Sequence, residues 1–176
     1  GKLYKAVTRG NGVFGEDVTH TVRTMKTVPL ELFEVDGLKL ADYPIIEVSG
    51  EVFMSKKSLK KINTEGDQQF ANPRNAAAGT VRQLDPQVAA NRNLEMYFYS
   101  IKLPDDSSIK EPVTHLESLE LLKKLGLRVN KFFVHDTSLN PILKSMKEWE
   151  KKRDSLDYEI DGLVIKINQI RHQNLM

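Results

Sequence analysis

Cysteine is absent from the 176 residues, so disulfides and cysteine-ligated zinc are excluded from this segment. A reducing compartment is compatible with that absence but is not required by it. Long apolar runs are also missing, and none approaches the roughly 20 residues that a membrane helix needs. No charged-then-apolar leader opens the chain, and the expected address is the cytoplasm, away from any membrane. A strong excess of one charge is lacking too. Lys and Arg number 26 against 24 Asp and Glu, a net charge of +2 with a pI near 8.7, too mild to announce nucleic-acid binding. The distribution is more uneven: residues 1–30 hold five cations and two acids, and residues 51–92 seven and four. Residues 31–50 are acidic, with five acids and one cation. Most such charge is solvated surface.

The length suits one ordinary domain with its own core. No repeat, low-complexity tract or linker divides it, so a single domain over 1–176 is expected. The chain starts at Gly1 without an initiator methionine and closes at Met176 inside a polar stretch. Both ends read as cut, and a strand edge left open by a cut is an association risk.

Local signals mark the elements. Leu3 to Thr8 reads as a short strand, followed by an Arg9-Gly10-Asn11-Gly12 turn. Val18, Val22 and Met25 have helical spacing. Ile45 to Met54 is the clearest strand, and Ser55 is placed to cap a helix with Leu59 and Ile62 inward. Asn72-Pro73 has the chemistry of a helix start, three alanines support the helix, and Gly79 ends or bends it. Leu94 to Ile101 is another strand. Thr114-His115-Leu116-Glu117 is a capping box ahead of Leu116, Leu119, Leu122 and Leu125, and Gly126 stops that helix. Asn140-Pro141 starts a second long helix with Ile142, Met146 and Trp149 on its apolar side, which makes Trp149 a core residue. Leu163 to Ile167 is the last strand. The irregular alternation points to an α+β fold with largely antiparallel sheet.

Three features break the pattern of a plain core. In Ile45 to Phe53, one strand face carries Glu47, Ser49 and Glu51 between Ile45 and Phe53. A wet sheet face explains that arrangement, but Gly50 weakens the strand and is also what close approach of a ligand requires. In Asp161 to Ile167, Lys166 interrupts an apolar run and must find solvent, a carboxylate or an anion. Asp161, at the mouth of that strand, suits a metal or a proton. In Phe70 to Leu84, Arg74, Ala78 and Arg82 form an i, i+4, i+8 row. Small residues between two arginines leave backbone accessible to a polyanion, and the amides near Asn72 add favourable dipole; two ordinary surface arginines are the plainer reading. His20, His115, His135 and His172 lie at no metal-ligand spacing, so no metal site is assigned.

The order of these blocks carries more than any one of them. Thr8-Arg9-Gly10-Asn11-Gly12 with Gly15-Glu16-Asp17-Val18-Thr19, then Val48 to Met54, then Ala71-Asn72-Pro73-Arg74-Asn75-Ala76-Ala77-Ala78-Gly79 running on to Leu84-Asp85-Pro86, resemble bacterial NAD-dependent DNA ligases. Arg153-Asp154-Ser155-Leu156 and Tyr158 to Lys166 resemble that family's fourth nucleotidyltransferase motif. Together the blocks span nearly the whole chain.

The resemblance implies the central part of an adenylation domain, an ATP-grasp-like nucleotidyltransferase core with flanking helices, truncated at both ends. It implies nick sealing in double-stranded DNA through lysyl-adenylate and DNA-adenylate intermediates, with NAD and magnesium (Mg2+) and a monomeric full-length protein. Zinc belongs only to a domain outside this segment. By matching position, Arg9, Glu51 and Lys166 would contact the adenylate part of NAD (AMP). Asp161 and Lys166 would serve catalysis, Asp161 through a metal or by its charge. Arg74, Arg82 and Arg153 would hold phosphates at the nick. There are departures. No Lys-x-Asp-Gly, the family's nucleophile motif, occurs here, since Glu34 stands two residues before Asp36-Gly37, and Asn11 stands where the family often has Asp. The nucleophile is expected upstream of Gly1 and a further adenylate-contacting lysine beyond Met176. The isolated segment is expected to be inactive. Two other readings stay open: an ATP-dependent ligase or capping-type nucleotidyltransferase, which should lack the Asn72 to Gly79 block, and a non-catalytic nucleotide- or DNA-binding module derived from a ligase core.

Overall fold

A computed structural model describes residues 1–36, 38–66, 69–104, 111–173 and Leu175. Among the described residues, one sheet joins β1 (Glu47–Phe53), the clearest strand in the sequence, and β2 (Glu95–Lys102) as an antiparallel pair. Glu51 lies across from Tyr97 and Phe53 across from Glu95, while Ser49 meets Ser100 and Gly50 meets Phe98. Tyr99 is therefore an extra residue on β2, a bulge of the kind that re-aims a side chain and sharpens twist. Val48, Val52, Met96, Phe98 and Ile101 turn inward onto the core. The alternating residues of β1 (Glu47, Ser49, Glu51 and Phe53) take the outer face.

Helices close over the inner face. In α1 (Thr19–Val22) regular helix covers four residues, yet Val18, Val22 and Met25 are all buried. The chain continues past α1 in tighter turns, Thr24 N donating to Thr21 O and Met25 N to Val22 O. Helix α2 (Lys56–Glu65) is capped by Ser55, whose hydroxyl accepts from Ser58 N, and Leu59 and Ile62 pack at the edge of the core. Helix α3 (Pro73–Val81) starts at Asn72, whose side chain accepts from Asn75 N at 2.8 Å. Ala76, Ala77 and Thr80 point inward, and the helix runs past Gly79 to Val81. Helix α4 (Pro86–Asn91) repeats that Asx-Pro start at Asp85.

Helix α5 (His115–Lys124) has the full capping box between Thr114 and Glu117. It ends where Leu127 N reaches Leu122 O and Gly126 N reaches Lys123 O, with Gly126 at φ +85°, a backbone state that glycine adopts without strain. Leu119, Leu122, Leu125 and Leu127 join the core with Phe98, Met54 and Leu94. Helix α6 (Leu139–Lys152) begins one residue before the predicted Asn140-Pro141 and buries no side chain. Trp149, expected in the core, is only half-buried and meets Phe132 edge-on at 4.9 Å. Helix α7 (Ile170–Gln173) follows. Among the described residues, no helix is long and apolar enough to cross a membrane.

Two predicted strands are not strands. Residues 3–8 are pinned to two different neighbours, through single bridges Lys2–Glu31 and Val7–Asp17, so no continuous ladder forms. Residues 163–167 form no strand and pair with no neighbour among the described residues, with Val164 83% exposed. Apolar content favours an extended backbone there. A strand also needs a neighbour, and among the described residues none runs beside it, while the far edge of β2 is met by Arg128 and Val129.

Candidate functional site

The outer face of the sheet gathers the groups with chemistry. Tyr97, across from Glu51, stacks on Phe53 at 5.0 Å with nearly parallel rings. Tyr158 leans on both, at 5.2 Å from Phe53 and 5.8 Å from Tyr97. Arg128 lies 4.5 Å over the Tyr97 ring, donates to its hydroxyl at 3.0 Å and pairs with Glu95. Burial holds the Tyr158 phenol above the ordinary tyrosine range. Its hydroxyl accepts from Asn130 Nδ2 at 3.1 Å. This cluster gives the sheet face beside Glu51 a rigid aromatic floor.

Further along β2 the bulge exposes Tyr99, and Lys166 Nζ lies 4.9 Å from its ring centroid. That cation–π contact meets the demand of Lys166 for a partner. Burial lowers the amine below the ordinary lysine value. His115 is lowered too, first by burial and then by the charge of Lys166. Gly50 lies across from Phe98, at the bulge. A Cβ there would lie 2.5 Å from Tyr97 O and 2.6 Å from Met96 Cε, so a close approach, here of the protein's own backbone, explains the glycine.

The predicted residues fall into three groups. Glu51 and Lys166 share the outer face, one facing Tyr97 and the other over Tyr99. Arg74, at the start of α3, pairs with Asp161 at 3.4 Å. Arg82, at the end of α3, pairs with Glu16 at 3.0 Å. Glu16 hydrogen-bonds to Thr8 through main chain and hydroxyl, which brings the Arg9 turn to that end of the helix. Gly12 N closes the turn on Arg9 O at 3.0 Å. Neither the Arg9 nor the Glu51 side chain has a hydrogen bond or ion pair among the described residues. Arg153 follows α6, pairs with Asp154 at 3.6 Å, and borders a shallow groove of about 380 Å³ together with Trp149, Ile160 and Asp161. A larger cleft of about 470 Å³, between α2 and α4, contains none of the predicted residues; volume alone does not mark the chemistry.

Sequence reasoning missed Tyr99 and the Tyr97–Tyr158–Arg128 cluster. A signal existed: Tyr97 and Tyr99 alternate around Phe98 in a strand, so both lie opposite the core side. Among the described residues, no group of three or more His, Cys, Asp or Glu is placed to hold a metal. His20 instead contacts Gln83 O at 2.6 Å.

The family model for the NAD-dependent DNA ligase adenylation domain matches residues 1–176. The chain belongs to that family. Among curated relatives, a DNA ligase of Prochlorococcus marinus (strain NATL2A) is 42% identical over 186 residues, covering 100% of this chain and 26% of the relative. DNA ligases of Shouchella clausii (strain KSM-K16) and Bacillus cereus (strain AH187) are 40% and 41% identical, over 99% and 98% of this chain. The chain thus spans about a quarter of the length of these relatives. Membership of the NAD-dependent adenylation family sets aside the ATP-dependent ligase and capping-enzyme reading.

Proposed function

We propose that this chain is the adenylate-binding part of an NAD-dependent DNA ligase, one partial domain with a nucleotidyltransferase core, working in the cytoplasm on nicked double-stranded DNA. The observation that carries the reading is the shared outer face, where a Glu51 carboxylate with no partner among the described residues lies near an aromatic floor and Lys166 stands over Tyr99. A carboxylate free of partners suits ribose hydroxyls. An amine held over a ring suits phosphate or a base acceptor, and an exposed ring offers a surface to a purine. Arg9 reaches the same nucleotide from its turn. Arg74, Arg82 and Arg153 take DNA phosphates, where guanidinium forks bind two oxygens at once. Asp161, already facing Arg74, acts through its charge. The described residues build no dedicated magnesium site. Mg2+ would be held mainly by the substrate's own phosphates, as is common for this ion.

Titration of the chain with AMP, followed by amide NMR shifts, tests the reading alongside Glu51→Ala and Lys166→Ala. Saturable shifts that both variants weaken are expected. No shift in a demonstrably folded chain would sink it. The second reading, a non-catalytic binding module, is favoured by the lack of any Lys-x-Asp-Gly in the 176 residues. Both readings expect no lysyl-adenylate when this segment alone meets NAD and Mg2+. Mass spectrometry that found one would overturn the assignment of the nucleophile to a Lys-x-Asp-Gly motif.

A further inference from the structure

Asp161 and Lys166 sit on one exposed stretch of chain, and both of its ends are fastened. At the upstream end, Asp157 O accepts from Lys56 N at 2.7 Å and its carboxylate from Lys57 N at 3.3 Å. The next residue, Tyr158, is packed on Phe53 and Tyr97. At the downstream end, Asn168 O accepts from His115 N at 2.7 Å, and Asn168 Oδ1 accepts from Leu116 N at 3.2 Å. Those amides belong to the first turn of α5, which has no acceptors of its own to offer them. Thr114 already serves Glu117 N, so Asn168 and the capping box divide the free amides of that turn. From 158 to 167 the main chain makes no hydrogen bond to other main-chain groups among the described residues.

A strap whose main-chain hydrogen bonds lie only at its ends takes much of its shape from them. Lys166 is two residues from Asn168 and eight from Tyr158. We propose that Asn168 is a positioning residue: by seating on the first two amides of α5 it fixes the end of the strap and sets the Lys166 amine over Tyr99. Tyr158 fixes the opposite end, from which Asp161 meets Arg74. What Lys166 is positioned to do rests on the adenylate reading; where it stands does not.

Ring currents separate the two. In the folded chain, the Lys166 ε-protons over Tyr99 are expected upfield of the other lysines. Asn168→Ala should return them to the ordinary position and weaken AMP binding by about fivefold, the scale of one ordinary hydrogen bond. Asn168→Asp keeps an acceptor for Leu116 N and should restore the upfield position. Tyr158→Ala loosens the other end and should reduce the same shift, which provides a second variant if Asn168→Ala does not fold. A folded Asn168→Ala with unmoved Lys166 ε-protons would overturn the proposal. A wild-type chain that shows the upfield Lys166 signal and ignores AMP would overturn the adenylate reading instead, and the Lys166 signal of the variants would still decide the anchoring.

Discussion

Helix α5 buries Ser118, Leu119 and Leu122, whereas α6, with 14 residues against 10, buries nothing. Both are amphipathic and both end in lysines. The contrast extends past the helices. Every buried residue among the described ones lies at or before Leu127, while Arg153, Asp161 and Lys166 all lie after it. Helical period decides which side of a helix is apolar; only a tertiary partner decides whether that side is covered. The two regions differ accordingly: a packed platform carries Glu51, and an open, pinned segment sets Lys166 over Tyr99.

Paired substitutions test that contrast in urea unfolding. Leu122→Ala, at a fully buried site, should cost about 2–5 kcal/mol, and Leu143→Ala on α6 about 0.5 kcal/mol at most. Equal losses would abolish the distinction. Gly50→Ala forces a methyl against Tyr97 O and Met96 and should cost about 1–3 kcal/mol. Gly162, in the open segment, has nothing within 4 Å of an added Cβ, so Gly162→Ala should stay within about 0.5 kcal/mol. Thr114→Ala removes a side-chain cap and should cost about 1 kcal/mol. Ser138, which makes no cap bond at α6, should tolerate Ala within about 0.5 kcal/mol.

The smallest effect concerns pH. His115 has its folded-state pKa below the ordinary 6.5, through burial and then Lys166. The unfolded chain therefore binds the proton more readily, and stability should fall as pH drops through 6.5 and below. Above that value both states are neutral at His115 and the loss vanishes. His115→Gln should flatten this part of a stability–pH curve; an unchanged slope would assign it to other groups.

Local chemistry was legible in the chain. Asn72-Pro73, Ser55 and the Thr114–Glu117 box start their helices as read, because a cap and its target amide lie within three residues. The face of β1 that carries Glu51 follows from strand alternation alone. What failed depended on distant partners. Residues 3–8 and 163–167 have strand-like composition, but pairing is settled by segments far away in sequence. Trp149 has helical spacing with the apolar set of α6, and nothing in that spacing reports whether a core lies opposite. The same holds for the site. Glu51 and Lys166 were found from their own strands or motifs, while Tyr99 and Asn168 acquire meaning only once Lys166 and α5 are placed beside them.

Arg74 and Arg82 do not stand bare on α3. Each already holds a carboxylate, Asp161 and Glu16, in pairs exposed enough to break at little cost. A phosphate that takes either guanidinium displaces part of the protein and not only mobile ions. Release of condensed counterions is what makes polyanion binding fall steeply with ionic strength, and a phosphate bound here would also have to outcompete a tethered anion. Two arginines that look like two units of attraction would thus give up part of it to internal exchange, each phosphate replacing a carboxylate already in place.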